Sequence, residues 1–328
     1  MRTLHAFTLF AMIQIGPGFA FQSPVLPQKV LIEPRLKVAP TPEPEVSSGS
    51  AHLRVDASMV LVPANVSTIT GGRVMDLKKD NFRLFEDSVE QEIRYFAKED
   101  APLSVGLLFD TSGSMRNKMK QATAAAVEFF KSANTEDEFF LIEFSEKPKL
   151  DMPFSTSEEI LKRIGRLRPF GRTSLLDAIQ MGITQMKKAK HPRRALVILS
   201  DGADNRSRNS IRQIRNAVIE SDVQVYAMGI FDSQALVKGL AEDIYGPQLL
   251  DDLASYSGGK HFRVDSLEDL PAIGAKIGEE LRTQYLIGYM PSGLAKDGKY
   301  HRIRLQLAAD VRSGLRVHYR PGYYAPAR

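Results

Sequence analysis

A chain of 328 residues is long enough for about two domains and a sizeable core. Its residues are 43% hydrophobic and 25% charged, the balance of a globular protein, which excludes a wholly disordered chain and a polytopic membrane protein. Cysteine is absent, and with it any disulfide scaffold, thiolate zinc site, iron–sulfur cluster or cysteine nucleophile. The histidines (His5, His52, His191, His261, His301, His318) are scattered without a close pair, so a metal ion here must be held by oxygen. The formal charge of +5 is local. From Thr283 onward Lys296, Lys299, Arg302, Arg304, Arg312, Arg316, Arg320 and Arg328 face only Asp297 and Asp310. They fall in alternating stretches such as His301-Arg302-Ile303-Arg304-Leu305, which read as the wet face of strands, not as a nucleic-acid surface.

Residues 1–20 carry Arg2, an apolar run from about Ala6 to Ile15, and small residues Gly18 and Ala20 before a cleavage point. This is the layout of a secretory signal peptide, and the run is far shorter than the ~20 residues of a spanning helix. The expectation is an exported protein, periplasmic or extracellular. Its mature chain would have no transmembrane helix, although association with a membrane surface stays open. Residues 21–50 hold Pro24, Pro27, Pro34, Pro40, Pro42 and Pro44, a density that favours extended polyproline II and marks a spacer.

Residues 51–99 alternate apolar and polar side chains in short runs such as Leu53-Arg54-Val55-Asp56 and Phe82-Arg83-Leu84-Phe85, with turns at Gly71-Gly72 and Asp80-Asn81. Alternation at period two gives strands with one buried and one wet face. Too few strands lie here to close a sandwich. Similar runs in 283–328 (Tyr285 to Tyr289, Arg302 to Ala308, Leu315 to Tyr319) supply the rest, so both chain ends build one small antiparallel β-domain. In 100–282 the pattern changes. Ser104 to Phe109, Phe139 to Phe144, Ala195 to Leu199 and Val223 to Ile230 are short continuous apolar runs, as fully buried parallel strands are. Helical patterns separate them: Lys118 to Ser132, Glu158 to Leu167, Ser174 to Lys188, Arg208 to Glu220, Gln248 to Tyr256 and Leu267 to Arg282. The alternation specifies an α/β fold with a doubly wound, mostly parallel sheet, whose ligand lies at the carboxyl ends of the strands.

Three stretches fall at that edge: Asp110-Thr111-Ser112-Gly113-Ser114, Thr173 after Phe170-Gly171-Arg172, and Ser200-Asp201-Gly202. Together they offer two carboxylates and several hydroxyls, the oxygen donors that hard divalent cations prefer. One such cluster alone is explained by helix capping, since Asp, Ser and Thr satisfy the free amides of a first turn. Three clusters at one edge point instead to a metal site. The Ser200 hydroxyl reads as a loop hydrogen bond, and Asp177 either supports the site or faces solvent.

Asp-x-Ser-x-Ser, a distant Thr and a strand ending in Asp-Gly resemble the metal-ion-dependent adhesion site of von Willebrand factor type A domains. The resemblance spans about Pro102 to Arg282 and implies their Rossmann-like fold. The flanks, with Asp80 to Asp87, Gln91, Gln284 to Tyr289 and Arg320-Pro321-Gly322-Tyr323-Tyr324, resemble exported von Willebrand A-related proteins described mainly from Acidobacteria. What the resemblance implies is a Mg²⁺ ion, with Mn²⁺ or Ca²⁺ as alternatives, held by Asp110, Ser112, Ser114, Thr173 and Asp201. Ser112 and Ser114 would bind directly, Thr173 directly or through water, and Asp110 and Asp201 partly through water. One position is left for an Asp or Glu carboxylate of a protein partner. Related sequences often read Gly-Gly-Thr, where this chain has Arg172 in place of the second Gly.

No nucleophile elbow, His-Glu-x-x-His helix or phosphate loop is present, and no histidine flanks the three stretches to serve as a general base. The expectation is therefore a metal-dependent binding module and not an enzyme. The alternatives are an envelope scaffold with a purely stabilising metal and, further off, a metal-dependent hydrolase.

Overall fold

The computed structural model describes residues 59–98, 100–230, 241–291, 297–309, 311 and 313–326. The expected signal peptide and spacer lie outside the described residues. The elements in chain order are β1 (Val60–Thr68), β2 (Phe82–Glu86), β3 (Val89–Gln91), β4 (Ile93–Ala97), β5 (Leu103–Asp110), α1 (Met119–Phe130), β6 (Glu138–Phe144), β7 (Pro148–Ser155), α2 (Ser157–Ile164), α3 (Leu175–Met186), β8 (Arg193–Ser200) and α4 (Ile211–Glu220). They continue with β9 (Gln224–Ile230), α5 (Ala241–Ser257), β10 (His261–Val264), α6 (Leu270–Arg282), β11 (Tyr285–Tyr289), β12 (Tyr300–Leu307), β13 (Leu315–Tyr319) and β14 (Gly322–Tyr324).

The central sheet has the order β10-β9-β8-β5-β6-β7 and is parallel except for β7. Every residue of β5 is buried, because helices cover both faces of the sheet. Its side chains alternate between two cores. Leu103, Val105, Leu107 and Phe109 pack with residues of α1, α2 and α6, such as Ala125, Ile160 and Ile277. Leu108 packs on the other face, among residues of α3, α4 and α5 such as Ile179, Ile214 and Leu250. This is the doubly wound α/β arrangement expected from the sequence.

Two elements escape that reading. β7 contains Pro148 and Pro153, which count against a strand, but it is an edge strand whose ladder to β6 is irregular, where missing amide donors are tolerated. β10 is only four residues long and closes the opposite edge. α5 starts earlier than expected and carries Pro247 inside it.

The chain ends build two antiparallel sheets, β13-β1-β11-β4 and β14-β12-β2-β3. Their apolar faces share one core with Val62, Leu84, Tyr285, Ile287, Ile303 and Leu305. β11 follows α6 directly and pairs with β1, so the sandwich cannot form until the whole α/β segment has been made. Arg302 and Arg304 are exposed and alternate with buried Ile303 and Leu305, which makes them the wet face of β12. A buried polar bridge ties the sandwich to the central sheet: the Tyr226 hydroxyl of β9 accepts from Asn65 Nδ2 at 3.0 Å and from Gln284 Nε2 at 3.2 Å. No helix among the described residues is long and apolar enough to cross a membrane, a statement that does not bear on β-barrels.

α1, which leads out of the first candidate loop, lies unusually close to α6. A Cβ on Gly274 would stand 2.2 Å from the Ala125 carbonyl oxygen, which is fixed backbone. Alanine is favoured over glycine inside a helix by about 1 kcal/mol, but such an overlap forces the helices apart. Gly274→Ala is therefore expected to destabilise the fold by about 1–3 kcal/mol despite its better propensity, measured by denaturant unfolding.

Candidate metal centre

β5 ends on Asp110, which is fully buried, and the chain then turns through Thr111 and Ser112 (1% exposed each) into a short 3₁₀ turn, Gly113–Met115. The turn follows from local bonding. Asp110 Oδ1 accepts from the Ser112 amide at 2.8 Å, a reach of two residues that short acidic side chains favour. The Ser112 and Ser114 hydroxyl oxygens then lie 3.0 Å apart. Ser114 is exposed, so this pair opens toward solvent.

Direct bonds hold the second and third stretches against the first. The amide of Gly113 donates to the Gly171 carbonyl at 2.9 Å, and that of Phe170 to the Thr111 carbonyl at 2.8 Å. Gly171 has φ of +73°, in the left-handed region that glycine adopts without strain. Thr173 is 2% exposed and exchanges two bonds with Asn205: its amide donates to Asn205 Oδ1, and its carbonyl accepts from the Asn205 amide, both at 3.1 Å. From β8, the Ser200 hydroxyl donates to Asp110 Oδ2 at 2.6 Å and accepts from the Gly202 amide at 3.0 Å, the loop role expected of it.

The five predicted residues thus share one edge of the sheet, but not in equal contact. Asp110, Ser112 and Ser114 form a bonded chain, whereas Thr173 joins through its backbone. Asp201 faces Asp110 electrostatically: burial, reinforced by the Asp201 charge, pushes the Asp110 carboxyl up to about 7. One oxygen of Asp201, Oδ2, accepts from Lys118 Nζ at 3.3 Å. The other, Oδ1, is buried and has no hydrogen-bond partner.

Sequence reasoning passed over several residues that shape this edge. Lys118 lies one residue before α1, where spacing alone reads it as helix surface. Asp204 accepts from the Leu176 amide at 2.7 Å and from the Ser207 hydroxyl at 2.7 Å. Asp177 supports the neighbouring loop and does not face solvent freely: it accepts from the amides of Arg208 and Asn209, both at 3.0 Å, and from Asn209 Nδ2 at 2.7 Å. Partial burial works against ionisation of Asp177, but those donors hold its carboxyl below the usual range. The Asp-x-x-Ser spacing of 204–207 is the one signal that anticipates this loop.

The fold is the α/β arrangement expected from the sequence. Residues 105–203 match the von Willebrand factor type A domain family. Over that stretch the chain is similar to von Willebrand factor type A domains. Among solved structures, a von Willebrand factor type A protein from Catenulispora acidiphila is 12% identical, with 82% of this chain and 74% of that one covered at a TM-score of 0.48. The minor pilin PilB from Streptococcus sanguinis is 18% identical, covering 56% and 61% at a TM-score of 0.44. Proximal thread matrix protein 1 from the mussel byssus, with zinc in its adhesion-site motif, is 15% identical, covering 60% and 50% at a TM-score of 0.47. An uncharacterised protein of Synechocystis is 24% identical over 153 residues, and the match spans 44% of this chain but only 36% of that relative.

The donor set fits a divalent ion of the kind this domain implies. No group of three or more His, Cys, Asp or Glu side chains that could hold a metal ion occurs among the described residues, so two carboxylates and hydroxyls would have to serve. Hydroxyls coordinate without adding charge, and the unpartnered Asp201 Oδ1 is an oxygen donor that an ion could use. The Lys118 ammonium pairs with Asp201.

The raised Asp110 carboxyl has a consequence for stability. An unfolded Asp loses its proton near pH 4, whereas the folded one keeps it to about 7. The native state therefore binds more protons across that window, and stability must fall as pH rises through it. In EDTA, unfolding free energy is expected to drop by roughly 2–4 kcal/mol between pH 4.5 and 7.5 on account of this group. Asp110→Asn should flatten that part of the profile, as read by denaturant titrations at each pH.

Proposed function

We propose that the protein is an exported, divalent-metal-dependent protein-binding module, in which an Asp or Glu carboxylate of a partner completes the coordination of a bound Mg²⁺. The ion would be held by Asp110, Ser112, Ser114, Thr173 and Asp201. Hard oxygen donors favour Mg²⁺, with Mn²⁺ and Ca²⁺ as the ions to compare. The observation that carries the reading is the buried, unpartnered Asp201 Oδ1 beside a buried Asp110. A polar atom left bare in that setting costs free energy that a cation would recover.

The rim supports an acidic partner. Arg116, Lys147, Arg168, Arg172, Arg206 and Arg208 are exposed on the loops of this edge, where Glu146 is the exposed acid. Arg172 follows the residue bonded to Gly113, and Arg206 follows the residue bonded to Thr173, so both guanidinium groups start beside the site. Phe170 is 60% exposed and offers an apolar contact next to them. Such a rim steers anionic partners and rejects basic ones. Export rests on the N-terminal sequence, and a protein partner in place of nucleic acid rests on the small size of this basic rim.

A metal that served only to tie the loops together is less well supported, because direct backbone bonds already join them. Binding is favoured over hydrolysis because no histidine lies in the three stretches to act as general base.

The test uses the full chain and calorimetry. Mg²⁺ should bind the wild type, and Asp110→Ala should weaken that binding by about 100-fold or more. In Mg²⁺, but not in EDTA, the wild type should bind members of an immobilised peptide library that contain Asp or Glu, and Asn or Gln versions should fail. Arg172→Ala and Arg206→Ala should slow association and weaken its salt dependence while leaving Mg²⁺ affinity nearly unchanged. Mg²⁺ binding with no carboxylate-dependent capture would leave the scaffold reading standing.

A further inference from the structure

Lys118 is placed by its backbone and is not free to wander. Its amide donates to the Met115 carbonyl at 2.8 Å and its own carbonyl accepts from the Ala122 amide at 2.9 Å, which fixes its Cα where the 3₁₀ turn passes into α1. From there the side chain, only 14% exposed, runs inward. Its ammonium bonds Asp201 Oδ2 at 3.3 Å and the Ile230 carbonyl at 3.1 Å, the latter at the carboxyl end of β9. One cation thus bridges a carboxylate of the candidate metal centre and the end of the neighbouring strand.

We infer that Lys118 is a resident cation that competes with the divalent ion for the charge of Asp201, and that ion binding drives it off both Asp201 and the Ile230 carbonyl. This inference rests on the metal-binding reading above and adds a control to it.

The argument is one of charge and reach. Asp110 and Asp201 bring two carboxylates to a largely buried edge, and Lys118 pairs with only one of them. An ion on Asp201 Oδ1 would share one carboxylate with the ammonium on Oδ2, so the two cations would compete for the same negative charge. Away from bulk water, like charges repel strongly. The divalent ion brings more charge and could gather the Ser112 and Ser114 hydroxyls together with the carboxylates, whereas the ammonium spends its bonds on Asp201 and the Ile230 carbonyl. The lysine is the partner that must give way. Its flexible four-carbon stem lets the ammonium reach solvent at little cost. Once it leaves Asp201 only the neutral Ile230 carbonyl holds it there, a bond that water replaces at little net cost, so occupancy of the metal centre would be transmitted to the end of β9.

Two roles follow from one side chain. Without the ion, Lys118 limits the repulsion between the carboxylates and keeps the edge folded. With the ion, it raises the concentration needed for occupancy.

The experiment compares wild type, Lys118→Met and Lys118→Arg as full chains. Calorimetric titration with Mg²⁺ should give Lys118→Met an affinity about tenfold or more above wild type, because the competing charge is gone while stem volume is kept. Lys118→Arg keeps the charge and should stay within about threefold of wild type. In EDTA, Lys118→Met should melt below wild type, and saturating Mg²⁺ should stabilise it more than it does wild type. Carbon-13 labelling should show the Ile230 carbonyl resonance moving on Mg²⁺ addition in wild type, toward its position in metal-free Lys118→Met.

Equal or weaker Mg²⁺ affinity in Lys118→Met overturns the competition. An Ile230 resonance that stays fixed overturns the link to β9. Absence of Mg²⁺ binding in all three proteins overturns the metal-binding reading and this one together, whereas equal binding in wild type and Lys118→Met overturns this one alone. If Lys118→Met proves unfolded in EDTA, Lys118→Gln carries the same comparison.

Discussion

Asp110, fully buried, and Asp201, largely so, are held at the carboxyl edge of a parallel sheet, with the Lys118 ammonium paired to Asp201. The rest of the site is arranged around those two carboxylates. Ser200 and the Ser112 amide spend their donors on Asp110, Lys118 spends its own on Asp201, and one oxygen of Asp201 is left over. Burying like charges together is costly, and a fold that does so without a full complement of counter-charge has its strongest reason at a binding site.

The scaffold makes that deficit tolerable. β5 is buried along its whole length and packs into a separate core on each face, so its last residue is fixed by everything behind it. Backbone bonds between Gly113 and Gly171, Thr111 and Phe170, and Thr173 and Asn205 then lock the loops to one another. The chain ends close a β-sandwich joined to this sheet through Tyr226, Asn65 and Gln284. That bridge meets β9, whose far end carries the carbonyl held by Lys118. β9 therefore runs from the sandwich contact to the metal edge.

Much of the fold was legible from side-chain periodicity. The buried parallel strands read as apolar runs and the sandwich strands as alternation, because burial on two faces or on one face leaves that mark in any sequence. β7 was not legible, since its prolines argue against a strand and only its edge position permits them. β10 was too short to carry a pattern. At the site, Asp110, Ser112, Ser114, Thr173 and Asp201 were legible as clusters that the topology delivers to one edge. Lys118, Asp204 and Asn205 were not, because a lysine before a helix or an acid in a polar loop has many uses and only distances select among them.

Sequence alone determined the layers, the edge at which function lies and the chemical type of the donors, because hydrophobic period and residue chemistry are local properties. Tertiary structure alone decided how much charge is left uncancelled there. That quantity depends on which ammonium reaches which carboxylate across 83 positions of chain, from Lys118 to Asp201. No local pattern records such a meeting, because it is made where the entry to α1 meets the loop after β8 and not by either segment itself.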